Sequence, residues 1–341
     1  MYHYYFVSRE LIFDNYNNAT MKVGILTSGG DSPGMNACIR ALVRVGISRG
    51  FEIVGIMGGL QGLLDRKFHE MQARSVANII HRGGTVLTTG RSKEFRTLEG
   101  QMKAAQILEE EGFGALIAIG GNGTMQGMQK LQQIWKGQII GLPGTIDNDV
   151  YGTDYSIGFD TAVNNAIEAV DKIRDTAQAF DRFFLIEVMG RDSGAIALDV
   201  GISCGAEAIV IPETMTDLKK IADDIVAGRK RGKNFAFIIV AEGDEEGDAM
   251  EISKKLSGMV GEDCRVSVLG YIQRGGNPTR QDRILATKLG AYAIECIQNG
   301  KTGVLVGEIA GNLAETPFEE TYSNKKTLDN FLLGLVDSLS I

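Results

Sequence analysis

The chain is 341 residues long, 44% hydrophobic and 23% charged, with a net charge of −8. That length allows two domains of ordinary size, and the balance is that of a soluble globular protein. The acidic excess argues against general nucleic-acid affinity, and no uninterrupted apolar stretch reaches the roughly 18 residues that a membrane helix needs.

Residues 1–20 hold Tyr2, Tyr4, Tyr5 and Tyr16 but lack the basic start and apolar core of a signal peptide. They are expected to be an upstream extension, disordered or artefactual, ahead of a start at Met21; the rival reading is an arm that packs on a neighbour. From there apolar runs of strand length recur at 23–26, 53–57, 115–119, 139–142, 183–189, 208–211, 235–241, 266–272 and 304–306. Helical periodicity lies between many of them. In 161–179, Val163, Ala166, Ile167, Val170, Ile173 and Ala177 share a face, and in 100–111 so do Met102, Ala105, Ile107 and Leu108. Continuous apolar strands alternating with helices predict doubly wound α/β domains, with parallel-rich sheets covered on both faces and ligands at the carboxyl ends of the strands.

Cys38, Cys204, Cys264 and Cys296 form no CxxC pair and no zinc-ligand spacing, which suggests a reduced, cytoplasmic setting. Chemistry concentrates in three strand-end segments. Residues 26–36 (LTSGGDSPGMN) and 115–127 (ALIAIGGNGTMQG) are Gly-rich strand-to-helix turns whose backbone N–H groups can approach phosphate oxygens. Neither has Walker A or dinucleotide-fingerprint spacing. The third, 141–149 (GLPGTIDND), delivers a hydroxyl and two carboxylates, Asp147 and Asp149. Their spacing of two puts both on one side if the backbone is extended. The chain has only three histidines, His3, His69 and His81, so a base near residue 147 is sought among carboxylates. Arg91, Arg96, Arg182, Arg191, Arg265 and Arg274 lie in or beside Gly-rich or strand-end segments, where guanidinium forks suit phosphate. A kinase for a small phosphorylated metabolite, with Asp147 as base, is the natural hypothesis.

These residues are recognisable as a set. With GGNGT (120–124), PGTIDND (143–149), EVMGR (187–191) and GYIQRGG (270–276) added to the first loop, residues 22–300 resemble the ATP-dependent 6-phosphofructokinases of the bacterial type. The resemblance implies phosphorylation of fructose 6-phosphate at its 1-hydroxyl in glycolysis, in two α/β domains between which the chain crosses more than once. Residues 21–158 with 273–321 would bind ATP, and 159–272 with 322–341 the sugar phosphate. ATP would meet Gly30, Arg91, Ser92, Gly121, Asn122, Gly123 and Thr124. The sugar would meet Thr145, Asp147, Met189, Gly190, Arg191 and Glu242. Its phosphate would meet Tyr271 and Arg274, with Arg182 and Arg265 reaching in from a neighbouring subunit. Asp147 would be the base, Asp149 would orient Arg191 and help hold Mg²⁺, in part through water, and Arg91 and Arg191 would neutralise the moving phosphoryl group.

The resemblance also implies a homo-oligomer, expected to be a tetramer. An ADP or phosphoenolpyruvate effector would sit among Arg40, Arg44, Arg174, Glu207, Arg231 and Lys233. Family members that use pyrophosphate tend to carry Asp at position 123 and Lys at 144, crowding the nucleotide. Glycine at both positions here predicts ATP as donor. The chain departs from the family at Asn122, where the ATP enzymes carry a metal-site aspartate, and at Tyr271, Asp192 and Ser92-Lys93. Asn122 leaves open a regulatory or weakly catalytic sugar-phosphate-binding paralogue; a kinase for a related sugar phosphate such as sedoheptulose 7-phosphate is a separate alternative.

Overall fold

A computed structural model of the chain describes residues 20–180 and 182–339; the expectations for residues 1–19 lie outside the described residues. The first half runs β1 (Lys22–Thr27), α1 (Met35–Ser48), β2 (Glu52–Ile56), α2 (Gly59–Leu64), β3 (Phe68–Glu70), α3 (Leu98–Glu110), β4 (Phe113–Gly120), α4 (Asn122–Gln132) and β5 (Gln138–Pro143). The second sheet's segment follows: α5 (Phe159–Phe180), β6 (Phe183–Val188), α6 (Ala195–Cys204), β7 (Ala208–Val210), α7 (Leu218–Lys230), β8 (Ala236–Ala241), α8 (Ala249–Val260) and β9 (Cys264–Val268). The chain then returns through α9 (Arg280–Gln298), β10 (Val304–Ile309), β11 (Asn312–Pro317) and α10 (Phe318–Ser323), and ends in α11 (Asn330–Leu339).

Two sheets result. The seven-stranded one has the order β11-β10-β5-β4-β1-β2-β3, and the four-stranded one β7-β8-β6-β9. All pairings in the smaller sheet are parallel, while the larger carries antiparallel strands, β3 and β11, at its edges. Helices cover both faces of each. Along β4, Ala115, Ile117 and Ile119 pack with α1 and α9, while Leu116 and Ala118 face α2, α3 and α4. In the smaller sheet Phe237 and Ile239 face α5 and α6, and Ile238 and Val240 face α7 and α8. Strands with apolar residues on both faces read as continuous runs rather than alternations for this reason.

Two sequence expectations change. The run 266–272 is not one strand: β9 ends at Val268, Gly270 takes φ 51°, and Gly270–Arg274 form a 3-10 turn. That positive φ, cheap for glycine, ends the extended path and aims Arg274 back toward the first sheet. The backbone at 147–149 is also not extended, because Asn148 adopts φ 51°. Its side chain secures that conformation, accepting from the Ser156 N–H at 2.9 Å and donating to the Asp154 carbonyl at 3.2 Å.

Candidate active site

β1, β4 and β5 are parallel neighbours, so their carboxyl ends emerge side by side. The three chemistry-bearing loops leave from those ends: 28–31 after β1, 121–124 after β4 and 144–149 after β5. They are stitched together by the Ser28 N–H to the Ile119 carbonyl (2.9 Å), Gly144 N–H to the Gly120 carbonyl (3.0 Å) and Thr124 Oγ1 to the Ser28 carbonyl (3.3 Å). With Arg91 they wall a cavity of 590 Å³. The second sheet sends Arg191, just beyond β6, and Arg274, beyond β9, into the same space. A Cβ placed on Gly30 would lie 3.5 Å from the Arg274 guanidinium, so the two sheets' residues meet there.

Asp147 and Asp149 both line this cavity even though their backbone is bent. Asp147 is 8% exposed. Burial pushes its carboxyl up to about 6; the Asp149 charge adds to the rise and Arg191 and Arg274 oppose it. A carboxylate poised there can accept a proton near neutral pH. Burial likewise raises Asp149, and the hydrogen bond from Asn122 works against the rise. Thr145 Oγ1 accepts the Asp147 N–H at 3.2 Å, and the Thr145 carbonyl accepts Ser156 Oγ at 2.7 Å, so the loop is tied before any substrate arrives.

Asn122, the first residue of α4, donates its amide to Asp149 Oδ2 at 2.9 Å, while its own Oδ1 is buried without a partner. A buried acceptor beside two carboxylates suits a hard cation. Among the described residues no three His, Cys, Asp or Glu side chains converge as a cage. The donor set therefore fits an ion that keeps waters and phosphate oxygens in its shell, the habit of Mg²⁺.

The structure brings Gly30, Arg91, Ser92, Gly121, Asn122, Gly123, Thr124, Thr145, Asp147, Asp149, Arg191 and Arg274 to one cavity. Met189, Gly190 and Glu242 stand behind Arg191 instead. Glu242 Oε1 accepts the Arg191 N–H at 3.0 Å, and Gly190 (φ 146°) makes the bend, where a Cβ would strike the Ser193 carbonyl. Tyr271 is 79% exposed, with the Arg274 guanidinium 5.4 Å from its ring centre. Arg182 and Arg265 lie on the surface outside the cavity. Sequence reasoning missed Phe95 and Lys130 as cavity residues, and did not single out Ser28, Asp31 and Gln126 within the loops it named. For α4 a signal existed: positions 123, 126, 127 and 130 share one helical face.

One of the two donor arguments needs correcting. A Cβ on Gly123 would meet nothing within 4 Å, so a larger side chain there projects into open cavity. A Cβ on Gly144 would instead meet Ile119 at 2.7 Å and Met35 at 3.0 Å, in the core rather than in the nucleotide space.

The effector residues divide. Glu207, Arg231 and Lys233 line a second cavity, of 350 Å³, with a Glu207–Lys233 ion pair of 3.1 Å. Arg174 sits beside it, over the Phe237 ring at 4.9 Å. Arg40 and Arg44 do not join them within one chain, because α1 carries them on the first sheet.

Comparison with known proteins decides the family. The phosphofructokinase family model matches residues 22–297. The chain belongs to the phosphofructokinase family. It is 48% identical over 320 residues to the ATP-dependent 6-phosphofructokinase 1 of Thermus thermophilus, covering 94% of this chain and 99% of that one. It is 48% identical over 321 residues to the ATP-dependent 6-phosphofructokinase of Oceanobacillus iheyensis, with the same coverage. Among solved structures, phosphofructokinase from Saccharomyces cerevisiae superposes with a TM-score of 0.84 at 34% identity, over 94% of this chain and 47% of that chain. This chain thus spans about half the length of the yeast phosphofructokinase. A pyrophosphate-dependent phosphofructokinase from Marinobacter aquaeolei shares the fold, with a TM-score of 0.79 at 20% identity over 91% of this chain and 86% of that one.

Proposed function

We propose that this chain transfers the γ-phosphoryl group of ATP to the 1-hydroxyl of fructose 6-phosphate, giving fructose 1,6-bisphosphate and ADP in glycolysis. The observation that carries the reading is Asp147: a buried carboxylate raised to about 6, at the meeting point of the strand-end loops and the arginines of the second sheet. Asp147 accepts the hydroxyl proton as the sugar oxygen bonds to the γ-phosphorus and the bond to the β,γ-bridging oxygen breaks. Arg91 and Arg191 neutralise the charge on the moving group, and Thr145 holds the loop that aims Asp147. Positioning and charge neutralisation of this kind account for most of the rate in phosphoryl transfer. Asn122 and Asp149 would hold Mg²⁺, which when bound supplies charge neutralisation on the phosphates.

In this reading ATP lies along Gly30, Arg91, Ser92 and Gly121–Thr124, on the unit built from residues 21–158 and 273–321. The sugar phosphate lies against Arg191 of the unit of 159–272 with 322–341, with Glu242 behind that arginine, and against Arg274 just past the unit's boundary. Arg182, Arg265 and Tyr271 complete its phosphate site at a subunit interface of a homotetramer. A cytoplasmic location accords with the proposal. Among the described residues no helix is long and apolar enough to cross a membrane. An anionic effector, ADP or phosphoenolpyruvate, takes the Glu207–Arg231–Lys233 cavity, with Arg174 adjacent and Arg40 and Arg44 supplied by a neighbour. The regulatory or weakly catalytic paralogue is not favoured, since the base, the second carboxylate and both arginines stand in one cavity.

The test is product identification. Incubation with fructose 6-phosphate, ATP and Mg²⁺ should give fructose 1,6-bisphosphate by phosphorus NMR. Sedoheptulose 7-phosphate in parallel should give the lower kcat/KM. Binding of fructose 6-phosphate without turnover would overturn the assignment.

A further inference from the structure

The segment between α10 and α11 runs back across the molecule and places one lysine, Lys326, beneath the loop that carries Asp147 and Asp149. Its ammonium donates to Asn148 Oδ1 at 2.8 Å and to the Asp154 carbonyl at 2.6 Å. Asn148 is the residue between the two carboxylates and holds φ 51°, a conformation that a non-glycine residue keeps only where its surroundings enforce it. Two of those enforcing contacts converge on one oxygen: Asn148 Oδ1 accepts from Ser156 N–H and Lys326 Nζ. No motif in the sequence marks Lys326, which lies 177 positions beyond Asp149.

We propose that Lys326 is a positioning residue for the phosphoryl transfer, clamping Asn148 so that the flanking Asp147 and Asp149 keep their reactive places. It touches no reacting group and acts through the Asn148 side chain. The charges around it suit a fixed ammonium: burial pulls Lys326 down to about 8, while Asp154, Asp149 and Asp199 of α6 pull the other way. Because Asp154 and Asn148 precede α5 while Asp199 belongs to α6 on the second sheet, the lysine also sits where the two units meet. The inference rests on Asp147 being the base of the reading above.

Lys326→Met keeps the stem and removes the donor. In that variant kcat should fall about tenfold to a hundredfold, the loss expected when a reacting group is misplaced by about an ångström. KM for both substrates should stay within about threefold, since no residue that would touch substrate is altered. An unchanged kcat, or a loss confined to KM, would overturn the proposal. Asn148→Gly tolerates the same backbone φ but deletes the clamped oxygen. If Lys326 acts through Asn148, adding Lys326→Met to Asn148→Gly costs no further kcat; additive losses would contradict it. Amide exchange supplies a readout independent of turnover: Ile146–Asp149 should exchange faster in Lys326→Met, with the rest of β5 unchanged. Unaltered exchange there sinks the inference even if the wild type proves to act on another sugar. Absent wild-type turnover of fructose 6-phosphate with faster exchange in the variant would count against the substrate assignment alone.

Discussion

Asn122 and Asp149 face each other as amide and carboxylate, Nδ2 to Oδ2 at 2.9 Å, while Asn122 Oδ1 is buried without a partner. The amide thus fastens Asp149 in place without adding a negative charge to a site that already holds two. Asn122→Asp replaces that donor with a third carboxylate. Without Mg²⁺ the variant should be less stable by about 1–3 kcal/mol, from the lost hydrogen bond and the added repulsion. With Mg²⁺ and ATP the stability should return, and half-maximal rate should need less Mg²⁺ than in the wild type. Melting curves across a Mg²⁺ series check both; an identical metal dependence would show that the Asn122 amide is neutral toward the ion.

Asp147 trades stability for reactivity. Its folded carboxyl is raised from 3.8 to about 6, so the folded state disfavours its ionised form. The cost is absent below pH 3.8, where the group is protonated in both states, and is fully present above about pH 6. A shift of that size corresponds to about 3 kcal/mol at neutral pH. Asp147→Asn should therefore melt higher than wild type at pH 7.5 and lose that advantage as the pH falls toward 4. A lower melting point at pH 7.5 would mean that the carboxylate is held by contacts stronger than its burial cost.

Asp282 joins α9 to the start of α5. It is 1% exposed and accepts from Gly158 N–H at 2.8 Å, Thr161 N–H at 2.8 Å and Thr161 Oγ1 at 2.5 Å. Asp282→Ala orphans buried donors at a helix start and should cost about 3 kcal/mol, read as a lower denaturant midpoint with m unchanged. Burial raises Asp282 to about 6, so the cost of its ionised form, fully present above about pH 6, is relieved as the pH falls toward 3.8. Asp282→Asn, which keeps one acceptor oxygen, should lose less than Asp282→Ala.

Gly123 and Gly144 are separable tests of donor choice. Gly123→Asp meets open space in the first turn of α4, where an acid suits the helix dipole, so stability should stay within about 0.5 kcal/mol. Its charge would face the nucleotide phosphates and raise KM for ATP by at least about tenfold. Gly144→Ala instead overpacks Ile119 and Met35 and should cost about 1–3 kcal/mol, whatever the donor. A Gly123→Asp variant with normal KM for ATP would separate this glycine from donor selection.

Much of the site was legible because the chemistry sits in short segments at strand ends. β1, β4 and β5 appear in the sequence as apolar runs, each followed by its loop, and their parallel pairing brings the loops together. The shape of the 147–149 loop was not legible. The spacing of two suggested a strand, but the left-handed Asn148 depends on Ser156, Asp154 and Lys326, and the last of these is far off in sequence. β3 and β11 escaped notice because Phe68–Glu70 and Asn312–Pro317 are edge strands, partly polar and largely exposed, without a long apolar run. The 270–274 turn looked apolar enough for a strand, yet Ile272 is 58% exposed and Gly270 sets the bend. The scattered effector arginines lie on helices from both sheets, so no single chain unites them.

The central claim is that Asp147 takes the proton as ATP phosphorylates fructose 6-phosphate. The most direct measurement is kcat and kcat/KM for wild type and Asp147→Asn, with Mg²⁺, from pH 5 to 9. The account predicts that wild-type kcat/KM falls as the pH drops through about 6 and that Asp147→Asn loses about 10²- to 10⁴-fold in kcat while still binding fructose 6-phosphate. Near-normal turnover by Asp147→Asn, with the acidic limb of the profile retained, would contradict it.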